Sequence, residues 1–161
     1  TPKPSSAASD VYKRQAIFES GAILIYLAEK SGKFYEKKNK LKIDQWLMAQ
    51  MGSIGPFIGQ YHYFYHFNKG ISQIGEKRYF EMTKRIYKVL DDHLVGNKFL
   101  SGENYTIADI ATWPWIARHH WHDIGLNNYK NLCKWYEMIA ERPAVIKGYK
   151  FIDKDSDIPK P

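Results

Sequence analysis

Cysteine is almost absent from this chain, with Cys133 as its one representative among 161 residues. One thiol excludes an internal disulfide and is typical of a protein from a reducing compartment, so we expect a cytoplasmic location. The helical pattern around Cys133 places it on an apolar face. It is therefore expected to be a small buried hydrophobe rather than a reactive thiol.

Long apolar runs and strand patterns are also missing. No segment approaches the roughly 20 apolar residues that cross a bilayer, and the first residues lack the apolar centre of a signal peptide. Alternation of polar and apolar positions, which marks half-buried strands, is scarce throughout. These absences exclude a membrane-spanning protein and favour an all-α domain.

The charge balance is basic, with a formal net charge of +7. Much of the excess lies in a lysine-rich stretch at residues 33–42. Such a stretch either attracts anions or nucleic acid, or forms a solvated loop between helices. The sequence has no motif of the kind that contacts bases in a groove of DNA. We therefore favour the loop and expect no nucleic-acid partner.

The chain divides into three segments. Residues 1–15 have no apolar period and many helix breakers, so we interpret them as a non-native or disordered tail. Residues 16–32 are expected to form a helix that starts near Ser20 and ends at Gly32, and residues 33–161 a helical domain. In that domain a long apolar stripe runs from Ile43 to Tyr65, and Pro56 should bend its helix.

Further helices are predicted over about 74–94, from Thr106 onwards, over about 130–141, and from Pro143. Thr106 and Asp109 have the spacing of a capping box, in which the carboxylate reaches back to the Thr106 N–H. The helix that follows is unusually apolar, so we expect it to run through the core.

Glu19 and Ser20 precede the first apolar helix and define the candidate site. Free backbone N–H groups and the positive end of the helix dipole attract an anion at such a position. A carboxylate beside them can hold an amine, so the pair could grip a small zwitterion. The alternative is a simple helix cap.

An ordered set of motifs resembles the C-terminal helical domain of cytosolic glutathione S-transferases. The set consists of residues 18–23, 45–47, 50–52, 55–56, 59–60, 78–79, 83–85, 100–111 and 113–115. Within that family it is most similar to the Nu-class or Ure2-like branch of disulfide-bond oxidoreductases. The resemblance covers about residues 17–149 and implies a helical bundle with one long kinked helix.

The resemblance implies glutathione as a co-substrate, with a small electrophile or a disulfide as the second substrate. It assigns the γ-glutamyl end of glutathione to Glu19 and Ser20. It also assigns an arginine of the third helix to the site, for which we choose Arg85, with Arg78 as the second choice. A surface salt bridge is the other interpretation of Arg85.

The resemblance makes residues 16–32 the remnant last helix of an N-terminal thioredoxin-like domain, and residues 33–161 the C-terminal helical domain. In the same family the catalytic residue and the cis-proline loop lie on that N-terminal domain. Neither is found in this sequence, so we expect a fragment that has no catalytic residue of its own and is nearly inactive alone. The family also implies a homodimer for the full-length protein.

Three other interpretations concern an aromatic run, a group of histidines and the role of the chain as a whole. The aromatic run at 61–67 could line the second substrate pocket, or it could be core or dimer contact. His62 and His66, with the histidines at 119, 120 and 122, could suggest a metal site, but no carboxylate completes a known spacing and we expect none. Finally, the chain could be a non-catalytic helical interaction domain.

Overall fold

The computed structural model describes residues 11–12, 15–151 and 156–161. Within these ranges the chain is a helical bundle, as the sequence predicts. The helices are α1 (Ser20–Ser31), α2 (Lys40–Ala49), α3 (Gly55–Tyr61), α4 (Gln73–Leu94), α5 (Ile107–Ile116), α6 (Lys130–Ala140) and α7 (Pro143–Tyr149). None of these helices is long and apolar enough to cross a membrane.

Two very short strands, β1 (Val11–Tyr12) and β2 (Gln15–Ala16), pair antiparallel ahead of α1. The tail predicted for residues 1–15 otherwise lies outside the described residues. The predicted helix ends are confirmed at two places. Gly32 terminates α1 in the left-handed conformation with φ 66°, and Pro143 opens α7.

The predicted long helix is present but more irregular than Pro56 alone would make it. A π-helical turn (Gln50–Ile54) separates α2 from α3, and a second one (His62–Phe67) follows α3. Pro56 follows the first of these turns directly, as the second residue of α3. The irregularity is therefore spread over two π-helical turns, a feature that often accompanies functional sites.

Two glycines of this bent helix accommodate the indole of Trp115. A Cβ atom at Gly55 would lie 3.1 Å from the Trp115 ring, and one at Gly59 would lie 3.4 Å from it. Gly52 faces open space. Gly55 and Gly59 thus allow α5 and the bent helix to approach closely.

Helix α5 runs through the core, as predicted, and contacts α1, α2, α3 and α6. Its residues Ile107, Ala108 and Ile116 are almost completely buried. The core around it is formed mainly by large apolar side chains of the other helices, including Ile43, Leu47, Ile58, Tyr87, Leu90, Leu132, Trp135 and Ile139.

The capping box of Thr106 and Asp109 is present at the start of α5. The Asp109 carboxylate is fully buried and accepts hydrogen bonds from four donors. Thr106 N–H (3.0 Å) and the Thr106 hydroxyl (3.1 Å) donate to Oδ2, while Leu100 N–H (2.9 Å) and the Trp135 indole N–H (2.9 Å) donate to Oδ1. One side chain therefore joins α5, the loop before it and α6.

Burial raises the pKa of the Asp109 carboxyl, and its four hydrogen bonds oppose that rise. Because all four groups donate to it, the ionised carboxylate is the form that satisfies them. Such a buried network is stable only while every member has its partner.

We expect Asp109→Ala to lower the free energy of unfolding by about 3–5 kcal/mol, since it leaves several buried donors without an acceptor. Thr106→Ala removes one hydroxyl but keeps the carboxylate, and should cost only about 1 kcal/mol. Urea unfolding of both variants measures the difference. Equal losses would show that Asp109 acts only as a helix cap.

A second prediction compares two glycines of the bent helix. Gly55→Ala should destabilise the protein by about 1–3 kcal/mol, because the new methyl group meets Gln50 and Trp115 at close range. Gly52→Ala meets nothing and should be neutral or stabilising by up to about 1 kcal/mol. Thermal unfolding of the two variants measures the difference. Equal changes in melting temperature would contradict the close packing at Gly55.

Candidate functional site

The N-terminus of α1 has an unusual backbone conformation. Glu19 precedes the helix with φ 69° and ψ 115°, in a region that non-glycine residues rarely occupy, and its side chain makes no cap hydrogen bond. Such a conformation costs roughly 1–3 kcal/mol and tends to occur at ligand-binding sites. The N–H groups of the first turn are consequently not capped by the Glu19 side chain.

Ser20 lies at the edge of a cavity of about 780 Å³ between α1, the bent helix and α5. The Ser20 hydroxyl is exposed and donates to Met51 Sδ at 3.7 Å. The cavity is lined by Ser20, Ile23, Leu24, Gln50, Met51, Gly55, Pro56, Gly59, Gln60, Ile110, Ala111, Pro114 and Trp115. It is mostly apolar, with Ser20, Gln50 and Gln60 as its polar side chains, as small-molecule sites commonly are.

Gln50 is the buried polar residue of this cavity. It lies in the first π-helical turn, its side chain is 4% exposed, and its Oε1 has no hydrogen-bond partner. Sequence analysis missed it, because a glutamine within an apolar stripe gives no sign of what its carboxamide will contact.

The structure places the two candidate arginines elsewhere. Arg85 is exposed on α4, and the residues two positions before and after it, Thr83 and Tyr87, are both fully buried. A step of two residues turns a helix by about 200°. Arg85 therefore lies on the face of α4 opposite to the buried face that carries Thr83 and Tyr87. Arg78 is also exposed. Neither arginine lines the cavity beside Ser20, and their binding role stays a prediction.

The aromatic run at 61–67 does not line this cavity either. Tyr61 and His62 are buried, and Tyr61 donates to the backbone carbonyl of His122 at 2.9 Å. Tyr63 and Phe67 are about half exposed or more. The run therefore serves partly as core and partly as surface.

Two histidines form a buried polar cluster with Tyr87. His122 is fully buried, its Nε2 lies 2.6 Å from His62 Nε2, and its Nδ1 lies 2.6 Å from the Tyr87 hydroxyl. Burial lowers the pKa of His62 to about 4 and that of His122 to about 2. Both rings are thus neutral at pH 7, and each uses a ring nitrogen in a hydrogen bond.

In the part of the chain that the structure describes, no group of three or more histidine, cysteine, aspartate or glutamate residues could hold a metal ion. Cys133 is only partly buried, and its thiol lies 3.6 Å from Asn127 Oδ1. Burial raises the pKa of the Cys133 thiol, which makes it a poor nucleophile.

A second cavity, of about 590 Å³, lies on another side of α5. Ile110 and Pro114 belong to the walls of both cavities. Arg142 lies over the Tyr105 ring at 3.9 Å, and Arg118 lies over the Tyr149 ring at 5.7 Å. The basic and aromatic lining distinguishes this cavity from the one beside Ser20.

The chain matches the model of the glutathione S-transferase C-terminal domain over residues 55–143. It is 44% identical over 131 residues to the disulfide-bond oxidoreductase YfcG of Escherichia coli, covering 80% of this chain and 61% of that protein. The chain therefore belongs to the glutathione S-transferase family.

Solved structures agree with this assignment. A glutathione transferase from Burkholderia graminis with two glutathione molecules bound per subunit has a TM-score of 0.81 and 34% identity, covering 87% of this chain and 62% of that one. A Pseudomonas putida glutathione transferase with one glutathione disulfide bound per subunit has a TM-score of 0.75 and 39% identity, covering 85% and 63%. The chain thus spans less than two thirds of each of these relatives.

The histidine cluster predicts that acid destabilises the protein. A histidine whose pKa is lowered by folding binds its proton more readily in the unfolded state, so stability falls as pH drops below about 6.5. Between pH 7 and pH 5.5 the loss should be about 1 kcal/mol for each of His62 and His122. Urea unfolding at the two pH values measures it.

The matched variant for this prediction is His62→Gln, which keeps a hydrogen-bonding side chain but does not titrate. It should lose about 1 kcal/mol less stability than the parent chain over the same pH interval, because the lowered pKa values of His122, His119 and His120 contribute in both proteins. A parent chain that is equally stable at both pH values would contradict the neutral, buried state of the cluster.

Proposed function

We propose that this chain forms the helical, glutathione-binding part of a glutathione-dependent transferase or disulfide-bond oxidoreductase. The observation that carries the proposal is the strained Glu19 followed by Ser20 at an uncapped helix start, beside a cavity of about 780 Å³. Relatives with bound glutathione or glutathione disulfide support this ligand.

The γ-glutamyl end of glutathione is a zwitterion, and α1 offers a partner for each of its charges. The ligand carboxylate would accept hydrogen bonds from the Ser20 hydroxyl and from the N–H groups of the first turn. The ligand ammonium would pair with the Glu19 carboxylate. The positive φ of Glu19 has a function in this arrangement, since it sets the direction in which the chain enters the helix.

The cavity beside Ser20 leaves room for more than the γ-glutamyl group. Its far wall is the Trp115 indole packed on Gly55 and Gly59. An apolar wall of this kind suits a small electrophile or the second half of a disulfide. The similarity to YfcG favours the disulfide, in the Nu-class or Ure2-like manner.

The reaction needs the thiolate form of glutathione. None of the residues that line the cavity can stabilise that thiolate. Its polar members are Ser20, Gln50 and Gln60, with no cation among the lining residues to lower the thiol pKa. We therefore assign binding and orientation to this chain and no catalytic residue. The thiol-activating group is assigned to a thioredoxin-like domain, and the active assembly is proposed to be a homodimer.

A non-catalytic interaction domain is the alternative function. Glutathione binding separates the two, because an interaction domain has no need for a strained residue at the start of α1. The uncapped helix start favours the glutathione site.

The test is glutathione binding by variants of the helix start, measured by isothermal titration calorimetry. Glu19→Gln and Ser20→Ala should each weaken binding by roughly tenfold, since each removes a charge-assisted hydrogen bond. Thermal stability should change little, because both side chains are exposed.

Arg85→Met and Arg78→Met complete the comparison. If the family role assigned to Arg85 is correct, Arg85→Met weakens binding and Arg78→Met does not; the reverse result moves that role to Arg78. Absence of glutathione binding by the parent chain, or binding that survives the Glu19 and Ser20 changes, would overturn the proposed site.

A further inference from the structure

A buried polar atom of a residue that lines the cavity beside Ser20 has no hydrogen-bond partner in the protein. Gln50 is 4% exposed, its Oε1 makes no hydrogen bond, and its side chain lines the cavity. A buried carbonyl oxygen without a donor destabilises the free protein, so its retention calls for an explanation.

The backbone at Gln50 departs from regular α-helix. Gln50 begins a π-helical turn, a helical irregularity that tends to occur at functional sites. Its Nε2 lies 2.7 Å from the point that a Cβ at residue 55 would occupy, so the glycine leaves room for the carboxamide in its present position. The packing around this turn thus leaves the Gln50 carbonyl oxygen buried and without a partner.

Gln50 is also close to the proposed anchor of the ligand. Its neighbour in sequence, Met51, accepts a hydrogen bond from the Ser20 hydroxyl at 3.7 Å, and the three residues line one cavity. A zwitterion whose carboxylate lies on Ser20 and the start of α1 carries its ammonium only two bonds away from that carboxylate carbon. An ammonium has three donors, and Glu19 alone does not satisfy them.

We propose that Gln50 is a specificity residue that accepts a hydrogen bond from the α-ammonium group of the γ-glutamyl ligand. This inference rests on the proposed glutathione site and adds a third contact to it. Rotation of the terminal amide about its last side-chain bond turns Oε1 towards the ligand without moving the helix. The ligand then satisfies the one Gln50 atom that the protein leaves without a partner.

The test uses two ligands that differ only in the amine. Glutathione disulfide carries the ammonium, and the matching disulfide of glutaryl-cysteinylglycine lacks it. Gln50→Met keeps the length of the side chain and removes its polar end. We expect it to weaken glutathione disulfide binding by about tenfold and to leave the desamino ligand unaffected, as measured by calorimetry.

A stability measurement separates this role from a structural one. Because Gln50→Met removes an unsatisfied buried oxygen, the ligand-free variant should melt at the same temperature as the parent or higher. Addition of glutathione disulfide should then raise the melting temperature of the parent more than that of the variant. Gln73→Met, at an exposed position of α4 outside the cavity, is the control and should bind both ligands like the parent.

Each outcome has a distinct meaning. Equal losses for both ligands, or no loss for either, would overturn the role of Gln50 while leaving the glutathione site intact. A lower melting temperature together with unchanged binding would make Gln50 a structural residue. If the parent chain binds neither ligand, the proposed function fails, and this inference fails with it.

Discussion

The fold depends on one buried carboxylate. Asp109 accepts hydrogen bonds from Thr106, Leu100 and Trp135, which belong to the cap of α5, the preceding loop and α6. Because α5 contacts α1, α2, α3 and α6, its position determines where the walls of both cavities lie. The interaction that starts the central helix therefore also positions Trp115 against the bent helix.

Local signals in the sequence predicted most of the fold. The Thr106–Asp109 box, Gly32 after α1 and Pro143 at the start of α7 each act within a few residues, so their effect can be read from spacing. The π-helical turns could not be predicted in this way. The first turn packs against α5, and the second packs against α4 and the 3-10 helix at His119–Trp121. These contacts bring together residues distant in the sequence, so they cannot be read from local spacing.

The candidate site also combines residues that the sequence predicts with one that only the packed structure reveals. Glu19 and Ser20 are adjacent in sequence, and their place at a helix start was evident from the pattern. Gln50 became visible only through its burial and its missing partner, which are properties of the packed structure. The prediction for Arg85 depends on its position in a family motif. The buried residues on either side of it place its side chain on the exposed face of α4.

The π-helical turn at Gln50–Ile54 also constrains how the chain can vary in length. A wider turn holds one residue more than an α-helical path of the same shape, and each residue rotates a helix by about 100°. Loss of a single residue there would restore regular α-helix and leave α3 close to its present orientation, so Gly55 and Gly59 would still face Trp115. The same loss from α2 or α3 would rotate the rest of the bent helix by about 100°. A one-residue difference in length is therefore better tolerated at this turn than in the regular helix on either side of it.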